Sequence, residues 1–486
     1  MDYLDPKKQI RHRVIMLIGY CVIAVAIVIT TLILIYQAYG FGLGQNGTVI
    51  QNGLVFISSQ PVSAQINING VKKSQTSARL VLPSGIYNFD LNRTGYRDWQ
   101  RTIEVVGGTV NHYDYPLLIP KILKPTVLQD YTSPPIMTSQ SPDRHWLLVQ
   151  KLNTPTFDLV DLKNPTKPAV YLVLPAAIYS KATSNDSWQT LEWADDNLHL
   201  VMLHSFDGKF EYILIDRQNI DQSVNLTTIL ALGNVQLSLK NNKYDQYYSY
   251  DNTTLSLGTM SLSSPTLLPV VEKVLAYKTL GSDTVLYITD TEAPSGKVLL
   301  KMLVGSQAYT LRTIPVSSKY LVDMSVYSGN LYIAVSIVSD DKVYVYKDPI
   351  GQLKALPNHV VVPMQVMHIV DPNHLSFSSL SQQFIMAENG NQFSVYDLEN
   401  RNGYKYTLTA PIDAPQANAN WLDGSHLSIV SNGKLVIFDF DSANQQVTVT
   451  ASSKYPPIFS TDSKTLYYFD NVNQAWSLNQ VSLLAN

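Results

Sequence analysis

Ser141-Pro142-Asp143-Arg144-His145-Trp146-Leu147-Leu148-Val149 joins a turn of small and acidic residues to an apolar strand, and Phe157-Asp158-Leu159-Val160-Asp161-Leu162 follows as a second strand ending in Asp and Leu. The pair recurs as Trp193-Ala194-Asp195-Asp196-Asn197-Leu198-His199-Leu200-Val201 with Glu211-Tyr212-Ile213-Leu214-Ile215-Asp216. Fainter copies turn near Asn242, Asp283 and Gly329, and clearer ones begin at Ser381, at Trp421-Leu422-Asp423-Gly424 and at Phe459-Ser460-Thr461-Asp462. From Asp143 to Asp462, seven intervals cover 319 residues, about 46 per unit, close to the length of a four-stranded propeller blade. Stacked sheets keep open edges, whereas a closed ring protects them. The expected fold is therefore all-β, with an eight-bladed β-propeller over residues 121–486, or a seven-bladed one if a faint copy is misread. The last unit stops after three strands, so residues 122–128 are expected to supply its outer strand as a clasp. Two sandwiches would also use short strands but need not repeat at this period.

The S-P-D and W-x-D-G turns resemble those of β-propeller repeats in periplasmic TolB-like and WD-repeat proteins. The resemblance implies architecture only. Asp143, Asp195, Asp423 and Asp462 are expected to stabilise the blade turns, and His145, His199 and His426, at similar places in three units, to make hydrogen bonds within blades.

Upstream, residues 53–120 alternate apolar and polar over about six short strands with turns every 8 to 12 residues, the pattern of a small sandwich. The segment holds Ser59-Gln60-Pro61-Val62-Ser63-Ala64, Ile66-Asn67-Ile68-Asn69-Gly70, Leu82-Pro83-Ser84-Gly85-Ile86-Tyr87 and Gly95-Tyr96. In that order they resemble the PEGA domain, a small β-module of bacterial and archaeal envelope proteins. Val62-Ser63 replaces the family's Glu-Gly pair, and Thr76-Ser77 stands where Thr-Pro is usual. The resemblance implies a surface or spacer role with no catalytic residue. Pro61, Gly70, Pro83, Gly85 and Gly95 are expected as turn residues, Tyr87 and Tyr96 as packing in the core or at its rim, and Ala64 as a structural residue of the motif.

Residues 14–36 contain no charged side chain, and as a helix they would cover roughly 35 Å, enough to cross a bilayer core. Lys7, Lys8, Arg11 and Arg13 precede the run, and the next basic residue is Lys72. That asymmetry places a cytoplasmic tail at 1–13 and carries the remainder outside the plasma membrane. A cleaved signal peptide would have a shorter apolar run and a small-x-small site, and Tyr36 stands two places before Ala38. Cys21, the only cysteine, follows bulky Tyr20, unlike a lipoprotein signal. Residues 37–52, rich in Gly and Asn, are expected as a flexible spacer.

The 486 residues carry a net charge of −3 and only 15% charged side chains, which gives no electrostatic footprint for nucleic acid. Gly42-Leu43-Gly44-Gln45-Asn46-Gly47 has the G-x-G-x-x-G spacing but lacks the flanking strand and helix of a dinucleotide site. No H-E-x-x-H, G-x-S-x-G or EF-hand pattern occurs, so neither a cofactor nor a metal is expected. Tyr244-Asp245-Gln246-Tyr247-Tyr248-Ser249-Tyr250 presents rings for sugars or for ordinary cross-strand packing. Asn46, Asn92, Asn185, Asn225 and Asn252 match the glycosylation sequon, which the prokaryotic resemblance makes incidental. The expectation is a single-pass, non-catalytic binding or scaffold protein of a prokaryotic envelope, contacting another envelope protein or a cell-wall polymer. A propeller glycan hydrolase or lyase and a ligand-binding sensor are the alternatives.

Overall fold

The computed structural model describes residues 6–38, 40–43, 49–152, 154–355, 360–409, 411–413, 418–455, 457–472 and 475–484. The chain separates into two compact units, Met1–Ile122 with Leu484–Asn486, and Leu123–Leu483.

The first unit begins with helix α1 (Pro6–Ala38). Its stretch Ile10–Tyr36 has a mean hydropathy of 2.8, and its most apolar part holds no buried residue. By length and composition it is able to cross a membrane. Strands β1 (Phe41–Leu43), β2 (Val49–Ile57), β3 (Gln65–Ile68), β4 (Val71–Gln75), β5 (Ala78–Pro83), β6 (Gly85–Asn92), β7 (Trp99–Val105) and β8 (Val110–Tyr113) then form two four-stranded sheets. In one sheet β2 pairs with β1, β5 and β8; the other runs β4-β3-β6-β7. Along β7, Trp99, Ile103 and Val105 point inward while Gln100, Thr102 and Glu104 face water. They meet Val55 and Ile57 of the first sheet and Ile66, Phe89 and Leu91 of their own in one core. A Cβ on Gly53 would lie 2.6 Å from the Val106 carbonyl, so β2 depends on a bare backbone there.

Three differences from the sequence reading have physical reasons. Part of the expected spacer is strand, because Phe41–Leu43 pairs antiparallel with residues 49–51 as a hairpin whose turn lies outside the described residues. Strand β4 was not anticipated, since its Lys, Ser and Gln leave no apolar alternation on an exposed edge. The expected strand pattern does not continue to residue 120: beyond β8 only two isolated bridges form, because Pro116 and Pro120 have no amide for a ladder.

The second unit holds, among the described residues, eight four-stranded antiparallel sheets in sequence. Seven take four consecutive strands, opening with Met137–Gln140, Ser187–Trp193, Gln236–Lys240, Val274–Leu280, Tyr320–Tyr327, His374–Phe377 and Asn420–Trp421. The eighth opens with Ile458–Phe459, has three consecutive strands, and takes its fourth from β9 (Thr126–Tyr131), which pairs with Ala475–Ser482. The clasp is therefore displaced about four residues beyond the expected 122–128. Opening strands touch from the first sheet to the third and from the fourth to the sixth, on the axis side of the ring. The architecture is a β-propeller.

Apolar clusters lie between sheets rather than within them. Leu286, Val298 and Leu300 of the fourth sheet pack with Met324, Ile333 and Val335 of the fifth. At the seam, Leu147, Val149 and Val160 of the first sheet pack with Tyr467, Phe469 and Leu478 of the eighth and Tyr131 of β9. The Tyr467 hydroxyl also donates to the Leu162 carbonyl at 2.8 Å. Leu478→Ala is expected to cost about 3 kcal/mol by opening a buried cavity, and Tyr467→Phe about 1 kcal/mol. Chemical denaturation of the two variants beside the wild type measures both.

Candidate functional site

The turns that close the opening strand onto the second strand all lie at one end of the ring, and every one of the eight sequence anchors falls in such a turn. Asp143 accepts from Ser141 Oγ at 2.5 Å and from the His145 amide at 3.0 Å. Asp423 accepts from the Ser425 amide, the His426 amide and His426 Nδ1, all at 2.7–2.8 Å. Asp462 accepts from Ser460 Oγ at 2.7 Å and from the Lys464 amide at 3.2 Å. In the second sheet the expected residue is off by one. Asp196, not Asp195, accepts the Leu198 and His199 amides and His199 Nδ1, while Asp195 offers its own amide to the Asn242 carbonyl. Burial pushes the Asp196 carboxyl up, but these hydrogen bonds outweigh it and hold the group below the usual carboxylate range.

The three repeated histidines each lie between two carboxylates, one in the turn and one at the end of the third strand. Their second partners are Asp161 at 2.9 Å from His145, Asp216 at 3.8 Å from His199 and Asp439 at 3.5 Å from His426. In the sixth sheet Gln383 takes the histidine's place, donating to Asp397 at 3.0 Å. These third-strand aspartates were visible in the sequence only as the Asp of the recurring strand ending.

At this end the turns are laced to one another. The Asp143 amide donates to Asn197 Oδ1, Thr461 Oγ1 donates to the Asp143 carbonyl, and Ser381 Oγ donates to the Gly424 carbonyl. Arg144, at φ 59°, reaches from the first sheet to Ser463 Oγ of the eighth at 2.9 Å and the Leu422 carbonyl of the seventh at 2.8 Å.

Further along the axis, side chains link neighbouring opening strands. Trp193 Nε1 donates to Ser139 at 2.9 Å, Trp421 Nε1 to Ser376 at 3.2 Å, and Ser325 to Gln382 at 2.5 Å. Charged groups also converge here. Lys278 pairs with Asp323 at 2.9 Å, and Asp323 accepts the Phe377 amide of the sixth sheet. Glu192 accepts the Leu239 amide at 2.5 Å. Burial raises its carboxyl pKa, against the opposing pull of that amide and of Lys278.

The opposite end is different. Where the opening strands of the fourth, fifth and sixth sheets begin, a cavity of about 330 Å³ is lined by Leu275, Tyr277, Tyr320, Asn373, His374 and, from the third sheet, Tyr250. This volume falls in the range of small-molecule sites. The Tyr250 hydroxyl is tied to the Val274 carbonyl and that of Tyr320 to the Pro315 carbonyl. Burial, partly offset by a hydrogen bond from Ser238, pushes the Tyr277 phenol up to about 12, so it stays neutral. His374 Nδ1 lies 2.6 Å from buried Glu388, whose oxygens accept the Ala419 amide. Asn373 Oδ1 is buried with no hydrogen-bond partner. No linear motif marks these residues, because four different sheets contribute them. Within the tyrosine run, Tyr247 and Tyr248 are core, Tyr244 stacks on His199 at 3.8 Å, and only Tyr250 reaches the cavity.

The remaining sequence candidates lie in the first unit. Lys7, Lys8, Arg11 and Arg13 fall in the first turns of α1; Arg11 and Arg13 are exposed, and the side chains of Lys7 and Lys8 lie outside the described residues. Pro61 accepts from Ser59 Oγ at 2.6 Å, and the Ala64 amide donates to Thr76 Oγ1 at 3.0 Å. Gly70 follows Asn69 in the β3–β4 turn, both with positive φ. Tyr87, beyond Gly85, donates to the Pro83 carbonyl at 2.9 Å and packs partly buried on the core. The Gly95 carbonyl accepts the Lys121 amide, and Tyr96 is 3% exposed beneath Arg93. Among the described residues no group of three or more His, Cys, Asp or Glu is arranged to hold a metal ion.

Residues 52–118 match the PEGA domain family. No curated protein matches the chain. Solved structures with which it aligns include the Dos1 propeller, at 15% identity over 75% of this chain and 96% of that one, with a TM-score of 0.44. Oligogalacturonate lyase from Vibrio parahaemolyticus aligns at 10% identity over 74% and 98%, with a TM-score of 0.36. Dihydro-heme d1 dehydrogenase NirN aligns at 12% identity over 64% of this chain and 65% of its own, with a TM-score of 0.39. The propeller assignment rests on the sheet topology described above.

Burial alone would lower the His426 pKa, but Asp423 and then Asp439 overcome it and raise it to about 9. A raised cationic group contributes stability fully below its unfolded value, near 6.5, and loses it as pH rises through the folded value. The melting temperature is therefore expected to fall between about pH 6.5 and pH 9, and His426→Gln should flatten that decline. Thermal scans across this range check the sign.

Proposed function

We propose that this chain is a single-pass, membrane-anchored binding protein of a prokaryotic cell envelope, with an eight-bladed propeller held outside the plasma membrane. The observation that carries this reading is the asymmetry of the ring: one end is laced by hydrogen-bonded turns, and the other opens on a ligand-sized cavity. Function on such a ring belongs to its open face, where side chains from several rigid strands converge. The PEGA domain at 52–118 supports the envelope assignment, and α1 with Arg11 and Arg13 at its start supports an anchor with its N-terminus in the cytoplasm. The PEGA module and propeller residues 121–486 then act as spacer and binding head, contacting an envelope protein or a cell-wall polymer.

A glycan hydrolase or lyase is the second reading, and Glu192 is the observation in its favour. Burial raises its carboxyl pKa against the pull of Lys278, the direction a general acid needs. Its tie to the Leu239 amide gives it a structural task as well.

Two experiments test these readings. In a Cys21→Ser background, a cysteine at exposed Ser263 should react with a membrane-impermeant maleimide on intact cells; labelling only after permeabilisation would reverse the topology. The full chain in nanodiscs, offered an envelope extract and purified wall glycans, should retain a component, and Leu275→Trp, which fills the cavity, should lower retention at least tenfold. Glycan cleavage that Glu192→Gln reduces a hundredfold or more would establish the enzyme instead.

A further inference from the structure

We propose that the cavity at the open end of the propeller binds a neutral saccharide unit, a hexose or N-acetylhexosamine. The inference rests on the binding-protein reading above and adds the chemistry of the ligand. Three features of the lining carry it.

The first is the set of aromatic rings. Tyr250 and Tyr277 lie with their centroids 5.1 Å apart and inclined by 50°, and Tyr320 comes from the next sheet. Hydrogen bonds from the Tyr250 and Tyr320 hydroxyls to backbone carbonyls fix both rings. Tyr250 is 8% exposed and braces Tyr277, so the rings open to a ligand are those of Tyr277 and Tyr320. The C–H face of a pyranose is apolar and suits such rings.

The second is a polar edge. The Asn373 side-chain amide lines the cavity. Beside it, the His374 ring is oriented by the 2.6 Å contact of Nδ1 with Glu388, which directs its other nitrogen away from that carboxylate.

The third is charge. Among the lining residues the only titratable groups besides tyrosine belong to His374, and its partner Glu388 is 1% exposed and bound to the Ala419 amide. Neither arginine nor lysine lines the cavity; Lys319 lies nearby with its ammonium on the Asn373 carbonyl at 3.4 Å. An anionic ligand such as a uronate or phosphate finds no bidentate partner, and a cation finds no carboxylate that is not already engaged. A neutral, hydroxyl-rich ring suits the polar edge of Asn373 and His374 and the faces of the tyrosines together. The volume of about 330 Å³ leaves room for one or two sugar rings.

The test is calorimetric titration of the full chain in nanodiscs with glucose, maltose, N-acetylglucosamine and its β-linked dimer, with glucuronate as the anionic control. Saturable binding of at least one neutral sugar is expected, with glucuronate at least tenfold weaker. Asn373→Ala should weaken that binding roughly tenfold, the equivalent of about 1.4 kcal/mol. Leu275→Trp should abolish it while leaving the melting temperature unchanged. Three results would overturn the proposal: no neutral sugar bound at 10 mM by folded protein, glucuronate bound as well as the neutral sugars, or binding indifferent to both substitutions. Retention of an envelope protein with no sugar bound would sink the saccharide assignment and leave the binding-protein reading standing. Failure of both assays would sink both.

Discussion

A β-sheet with two apolar faces is stable only between two neighbours, and that requirement governs the larger unit of this protein. Each sheet shares its core with the next, as Val298 and Leu300 do with Ile333 and Val335. In an open series the first and last sheets would each leave one apolar face bare, and only their meeting covers both. The seam where Tyr131, Leu147, Val149, Phe469 and Leu478 come together is therefore a condition for the rest of the ring rather than a local contact. Strand β9 completes the eighth sheet there as its outer strand and covers the edge of Ala475–Ser482.

Closure also creates the asymmetry between the two ends. At the turn end, short polar residues capped by Asp143, Asp196, Asp423 and Asp462 come close enough to bond across sheets, and Arg144 reaches two sheets at once. At the other end the opening strands begin with bulky, half-exposed residues such as Tyr320 and His374, and space remains between them. Between the ends, Glu192, Lys278 and Asp323 each serve a neighbouring strand, which keeps charge on the axis without leaving it unpaired.

The repeat was legible because turns carry chemistry that sequence displays. An Asp accepting its own turn's amides leaves a fixed spacing, and all eight anchors mark the same turn of eight sheets. Even there the spacing slips by one, since Asp195 and Asp196 are equivalent in sequence and only the backbone path decides which carboxylate turns inward. Strand β4 and the clasp offset were harder to read, being set by pairing partners rather than by periodicity. The cavity was not legible at all. Tyr277, Tyr320 and His374 are separated by about fifty residues each, and their meeting is a product of the ring.

The seam has a consequence for how the molecule is made. Thr126 pairs with Gln480, so β9 leaves the ribosome ahead of every blade and waits roughly 350 residues for its partner. Until then the nascent chain carries an unpaired strand at its front and a growing row of half-covered sheets behind it. A stalled or clipped product lacking the last hairpin keeps those edges exposed, in the form that chaperones and proteases engage. The eighth sheet is therefore four-stranded only once both ends of this long span of chain have met.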